Sequence, residues 1–175
     1  NHKTIIFSSK KQKVKDLAFN LKRMKFNVAA MHSDLEQEER EKVMLDFKNG
    51  KVDILVATDI VSRGIDIDEI GLVINYDVPH DPEDYIHRIG RTARASAEGV
   101  ALTFVSVEDQ GRFQRIEKFL GEEVYKIPLP ARLGEAPEYA PGRSNGKGGG
   151  KKRFRNHRPA TRKRDNSKPK GDTPA

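Results

Sequence analysis

Short apolar runs of five or six residues recur along the first 105 positions, each set off from the next by a longer polar stretch. They read "TIIFS" (4–8), "NVAAMH" (27–32), "DILVAT" (53–58), "LVINYD" (72–77) and "VALTFV" (100–105). Each is too short for a typical helix and mostly lacks the strict polar alternation of a half-exposed strand, so each is predicted as a strand buried on both faces. The stretches between them have helical spacing instead. Val14, Leu17, Ala18, Leu21 and Met24 mark one apolar face, and Val43, Met44 and Phe47 another. Strands alternating with helices dictate a parallel α/β sheet with helices on both faces. In such sheets chemistry sits at the carboxyl ends of the strands. Ser8, Ser9, His32, Ser33, Thr58, Asp59, Tyr76 and Asp77 all fall at strand exits and are expected to line one edge.

Local signals punctuate the helices. Ser33-Asp34-Leu35-Glu36 has the S-x-x-E form of a capping box and predicts a helix start at Ser33. Gly50 is placed to stop that helix. Asp81-Pro82-Glu83-Asp84 supplies an N-cap, a proline at the first helical position and acids in the first turn. Ser106 is expected to cap a last helix running to about Leu120, with Phe113, Ile116 and Leu120 inward. From Pro137 onward the chain is Gly, Pro, Lys and Arg with almost nothing to bury. The folded domain is therefore expected to span 1–136, and 137–175 to be a disordered basic tail.

Charge follows the same division. The net charge is +7, but residues 141–175 carry 12 Lys+Arg against two Asp, which leaves the rest slightly acidic. Affinity for polyanions on bulk charge is thus a property of the tail. The absence of cysteine excludes disulfides, thiolate metal sites and a cysteine nucleophile. No apolar run approaches a membrane span. A cytoplasmic, monomeric domain is expected, and a first residue of Asn suggests a piece of a longer protein.

Three stretches carry polar chemistry. In "TDIVSRGID" (58–66), Thr58, Arg63 and the Gly64 amide are donors suited to phosphate oxygens, and Asp66 could accept from a sugar hydroxyl. A surface loop with an internal Asp–Arg pair reads the same residues equally well. In "QEER" (37–40), Gln37 and Arg40 share a helix face near an N-terminus that attracts anions, although the neighbouring glutamates fit an ordinary solvated face. In "YIHRIGRTARAS" (85–96), His87, Arg91 and Arg94 share a face if the helix persists, and gather in a turn if Gly90 ends it. Crowded like charges cost stability unless an anion compensates. Arg88 points off that face and is a candidate for a structural role. There is no G-x-x-x-x-G-K-[ST] phosphate loop, no G-x-G-x-x-G and no acidic pair for magnesium. A lone histidine among arginines is no metal site.

Taken in order, "IIFSSKKQ", "QEER", "ATDIVSRGID", "VINYDVP" and "HRIGRTAR" resemble the second, C-terminal RecA-like domain of a DEAD-box RNA helicase over about residues 3–125. The wording "IIFSSKKQKV" and the basic tail resemble the bacterial RhlE-type branch. The resemblance implies two RecA-like domains closing around ATP and single-stranded RNA. The phosphate loop, DEAD acids and magnesium belong to an N-terminal domain that this chain lacks, so the fragment alone is expected to be inactive. Arg91 and Arg94 match the catalytic arginine fingers, and Asp66 and Gly64 the nucleotide contacts. Ser8, Ser9, Arg40, Thr58, Arg63 and Gly64 match positions at the RNA backbone. Gln37, His87 and Arg88 match positions that couple the two sites. Ala93 and Ser33 stand where the family usually has glycine. The competing expectation is a free-standing, non-catalytic RNA-binding module.

Overall fold

The structure is a computed structural model that describes residues 3–59, 70–92 and 99–142. Its elements run β1 (Lys3–Phe7), α1 (Lys11–Arg23), β2 (Val28–Met31), α2 (Gln37–Lys48), β3 (Ile54–Ala57), β4 (Ile70–Asn75), α3 (Pro82–Ile89), β5 (Val100–Thr103) and α4 (Gln110–Leu120). The strands form one sheet in the order β2-β3-β1-β4-β5. Every pairing is parallel. The expected RecA-like architecture is therefore present.

Handedness decides which face each helix covers. Right-handed crossovers put α1, which carries the chain outward from β1 to β2, on one face, and α2, which carries it back to β3, on the other. The packing agrees. Val14 and Ala18 of α1 pack with Ile6, Val28 and Val56. Phe47 of α2 packs with Ile5, Phe7, Met31 and Leu55. The step from β4 to β5 runs in the same direction as that from β2 to β3, so α3 lands on the α2 face. There Tyr85 meets Phe113 and Ile116 of α4 in a second core.

Helix ends follow backbone chemistry. After α2 the Gly50 N–H donates to Phe47 O and the Lys51 N–H to Asp46 O, with Gly50 at φ +70°. That is a Schellman closure, and it stops the helix where Gly50 predicts. Lys25 performs the same turn after α1 at φ +65°, without glycine's freedom. Its N–H donates to Lys22 O and that of Phe26 to Leu21 O.

Three expectations need correction. The α2 cap lies one turn later than Ser33: the Leu35 N–H closes a turn onto His32 O, and the Glu36 N–H is accepted by Glu39 Oε2. The turn lets Leu35 pack on the α2-side core and Asp34 reach two lysines of α1. Met24 is no part of the apolar face of α1; it caps the helix and is 68% exposed. Ser106 caps a 3-10 turn, Val107–Asp109, that leads into α4.

Residues 138–140 are attached to α4. Gln110 donates to Glu138 O and accepts from the Ala140 N–H, and Tyr139 packs edge-on against Phe113. Glu117 accepts from the Tyr139 hydroxyl, the Val124 N–H and Lys126. Burial alone would raise the Glu117 carboxyl; these donors outweigh it and hold the pKa below the usual range. The tail from residue 143 lies outside the described residues, as do Arg63, Gly64, Asp66, Ala93 and Arg94. Among the described residues no helix is long and apolar enough to cross a membrane.

Candidate functional site

The parallel register places the strand exits side by side. Met31, Ala57, Phe7 and Asn75 are mutual partners in the ladder. The ladder runs one residue further: the Thr58 N–H donates to Met31 O, Ser8 to Ala57 O, Tyr76 to Phe7 O and Phe104 to Asn75 O. His32, Thr58, Ser8, Tyr76 and Phe104 thus form one row along the carboxyl edge, as a parallel sheet requires of residues in register.

Behind that row sits Arg88, fully buried in the last turn of α3. Its Nε donates to Asp59 Oδ1 at 2.6 Å. Its Nη1 donates to Asn75 Oδ1 at 3.3 Å and Asp77 O at 3.1 Å, and Nη2 to Ser9 Oγ at 3.3 Å. The guanidinium also lies 5.5 Å from the centre of the Phe7 ring. A buried cation survives only when its donors are satisfied. Here one side chain pins the exits of β1, β3 and β4.

Asp77 completes the lock. Its carboxylate accepts from Ser8 Oγ at 2.6 Å, Ser9 Oγ at 2.7 Å and the Ser9 N–H at 2.9 Å. Ser8 is fully buried, so its hydroxyl belongs to this network and not to an open surface. Ser9 stays partly exposed at the rim.

The other expected residues fall in two places. Gly90 caps α3, which settles the alternative left open by the sequence: Arg91 and Thr92 lie in the turn that follows. Arg91 is half-buried, and its Nε donates to His87 O at 3.0 Å. Gln37 is exposed and donates to Glu41, one turn on. Arg40 donates from Nη2 to Ser33 O at 3.1 Å.

What distinguishes the edge is a set of buried polar atoms with no hydrogen-bond partner among the described residues: Thr58 Oγ1, Arg40 Nε, His32 Nδ1 and His87 Nδ1. Native interiors pair nearly all such atoms. All four sit on strand exits or on the helices that flank them. Burial, and then Lys15 with Lys11 and Arg40, lowers the His32 pKa against the opposing pull of Asp34. The chemistry of the edge is that of an acceptor-rich, anionic chain that would take these donors. Sequence reasoning missed the weight of Arg88 and Asp77. The signal was Asn75, a polar residue inside an apolar strand, which must find a buried partner.

The model for the helicase conserved C-terminal domain matches residues 1–96. The chain belongs to this family, as the C-terminal domain of DEAD-box RNA helicases. It is 44% identical over 124 residues to the ATP-dependent RNA helicase eIF4A of Saccharomyces cerevisiae, covering 71% of this chain and 31% of the relative. The S. cerevisiae protein Dbp5, solved bound to RNA and ADP-BeF3, superposes with a TM-score of 0.66 at 36% identity, covering 70% of this chain and 33% of that one. The E. coli DEAD-box protein SrmB, solved with regulator of ribonuclease activity A, gives 0.70 at 31% identity, covering 78% and 80%. The chain spans about a third of the length of the curated relatives it matches. These relatives do not single out the bacterial RhlE-type branch.

Proposed function

We propose that this helicase C-terminal domain closes against an N-terminal RecA-like partner in the same protein, completing an ATP site and a single-stranded RNA site that neither half holds alone. Local unwinding of RNA duplexes or remodelling of ribonucleoproteins follows from that closure. The observation that carries the reading is the set of buried atoms without a partner among the described residues, Thr58 Oγ1 at a strand exit and Arg40 Nε and His87 Nδ1 on flanking helices, at an edge cross-linked by Arg88 and Asp77. Thr58 and Arg40 hold RNA phosphates, and Ser9, Arg63 and Gly64 contribute to the same task; Ser8 acts through Asp77. Contacts of this type position a strand without reading its sequence.

Arg91 and Arg94 are the fingers that neutralise the γ-phosphate, Gly64 and Asp66 meet the nucleotide, and Gln37, His87 and Arg88 couple the two sites. Magnesium and the triphosphate are held by the N-terminal domain. Phosphoryl transfer needs charge stabilisation more than covalent help, so supplying the cation from a second domain makes hydrolysis wait for closure. RNA contacts shared by both domains make closure wait for RNA. Assignment to the RhlE-type branch rests on the wording of 5–14 and the basic tail alone.

The test is RNA affinity in the full-length protein with a non-hydrolysable ATP analogue. Thr58→Val and Arg40→Gln should each weaken single-stranded RNA binding roughly ten-fold or more, the value of a charge-assisted or buried hydrogen bond. Wild-type affinity in both would remove the RNA assignment from this edge.

A further inference from the structure

A groove of about 590 Å³ lies beside the rim, between the start of α1, the exits of β4 and β5, and the start of α4. Its floor is Tyr76 and Phe104, which meet edge-on with ring centres 6.2 Å apart. Phe104 leaves 53% of its surface to solvent. Among the described residues α1 packs chiefly over β2 and β3, with Ile74 and Tyr76 at the margin of its core.

The walls are cationic in effect. Lys10 and Lys13 have no carboxylate partner among the described residues, unlike Lys11 and Lys15, which share Asp34. The Lys13 ammonium sits 5.2 Å from the centre of the Tyr76 ring. Two of the acids that line the groove are already engaged: Asp77 with Ser8, Ser9 and Arg88, and Asp109 with Arg112 and Ser106. Glu108 remains as a single opposing charge.

Aromatic faces next to unpaired lysines are what sequence-tolerant single-strand binders use: bases stack, and ammonium groups follow the phosphates. Ser9 and Asp77 line both this groove and the rim, and Tyr76 and Phe104 continue the same ladder row as Thr58. We propose that this groove is an additional RNA subsite, in which one nucleotide beyond those held at the rim stacks its base on the exposed face of Phe104, braced edge-on by Tyr76, and sets its phosphate between Lys10 and Lys13. The inference rests on the reading that the rim itself binds RNA.

The experiment measures affinity of the full-length helicase for oligouridylates of increasing length, with a non-hydrolysable ATP analogue at fixed salt. In the wild type, affinity should step up once the strand reaches past the rim. Phe104→Ala should abolish that step, a loss of roughly five- to one-hundred-fold on long strands, and leave the shortest bound strand unaffected. Phe104→Tyr, which keeps an aromatic face, should retain it. Lys13→Gln should reduce the slope of log affinity against log salt by about one on long strands only. A step that survives Phe104→Ala overturns the subsite while leaving the rim intact. An equal loss on short and long strands also overturns it, because the residue then acts through the rim. A wild type that binds no oligonucleotide would overturn both readings together.

Discussion

Arg88 is the residue on which the functional edge depends. It is one of the largest side chains in the domain, wholly buried, and bonded to groups from three strand exits. Removing it takes a donor from Asp59, from Asn75 Oδ1 and from the Asp77 carbonyl, and under-satisfied buried polar groups are expensive. Arg88→Leu should destabilise the domain by about 3–5 kcal/mol, the range for breaking a buried pair, read from denaturant unfolding. A change below about 1 kcal/mol would mean that the network is dispensable. Asp34 shows the opposite extreme. It is exposed, yet hydrogen bonds from Lys11 and then Lys15 pull its carboxyl pKa down to about 2. The folded value lies below the unfolded one, so the pair's contribution is present above the usual carboxylate range and is lost as pH falls through about 2. An NMR titration of the side-chain carboxyl should place the midpoint near there; an ordinary midpoint would show that the lysines are not engaged. The sequence marked Arg88 as off the cationic face and a candidate for a structural role, but not its partners. Its partners are 11 to 79 residues distant in the chain, and no local pattern encodes a contact of that range.

At the scale of elements, each of the five apolar runs became a strand and each helical stretch a helix, because burial on two faces and period 3.6 are strong, redundant signals. Ends were less legible. Ser33 and Glu36 fit a capping box by spacing, but Leu35 had a core to enter, and the turn at 32–35 won. Met24 had the spacing of a core residue but fell where the helix closes. The two Schellman closures give a paired prediction. Lys25 pays the steric cost of positive φ, whereas Gly50 occupies the same conformation with nothing within 4 Å of where a Cβ would stand. Lys25→Gly should stabilise by up to about 1 kcal/mol and Gly50→Ala destabilise by about 1 kcal/mol, in thermal or denaturant unfolding. Shifts of the same sign would contradict the assignment of cost to backbone conformation. The attachment of 138–140 to α4 was illegible for a different reason: Tyr139 stands alone in a polar stretch, and a single aromatic makes no pattern.

For the whole molecule, the fold fits the proposal that this chain carries half a site. A parallel sheet gathers donors at one edge, and β1, lying between β3 and β4, is where successive crossovers part. That edge offers Thr58, Arg40 and the turn of Arg91, but the chain has no phosphate loop. On the proposed function, a cation supplied to a triphosphate held by another domain makes closure the event that licenses chemistry. The central claim is tested most directly by steady-state, RNA-stimulated ATP hydrolysis in the full-length helicase with Arg91→Ala, beside residues 1–175 alone. The account predicts a fall of roughly 10³-fold or more in the variant, with unfolding little changed, and no turnover from the fragment with or without RNA. Wild-type turnover in Arg91→Ala, or robust hydrolysis by the fragment, would contradict it.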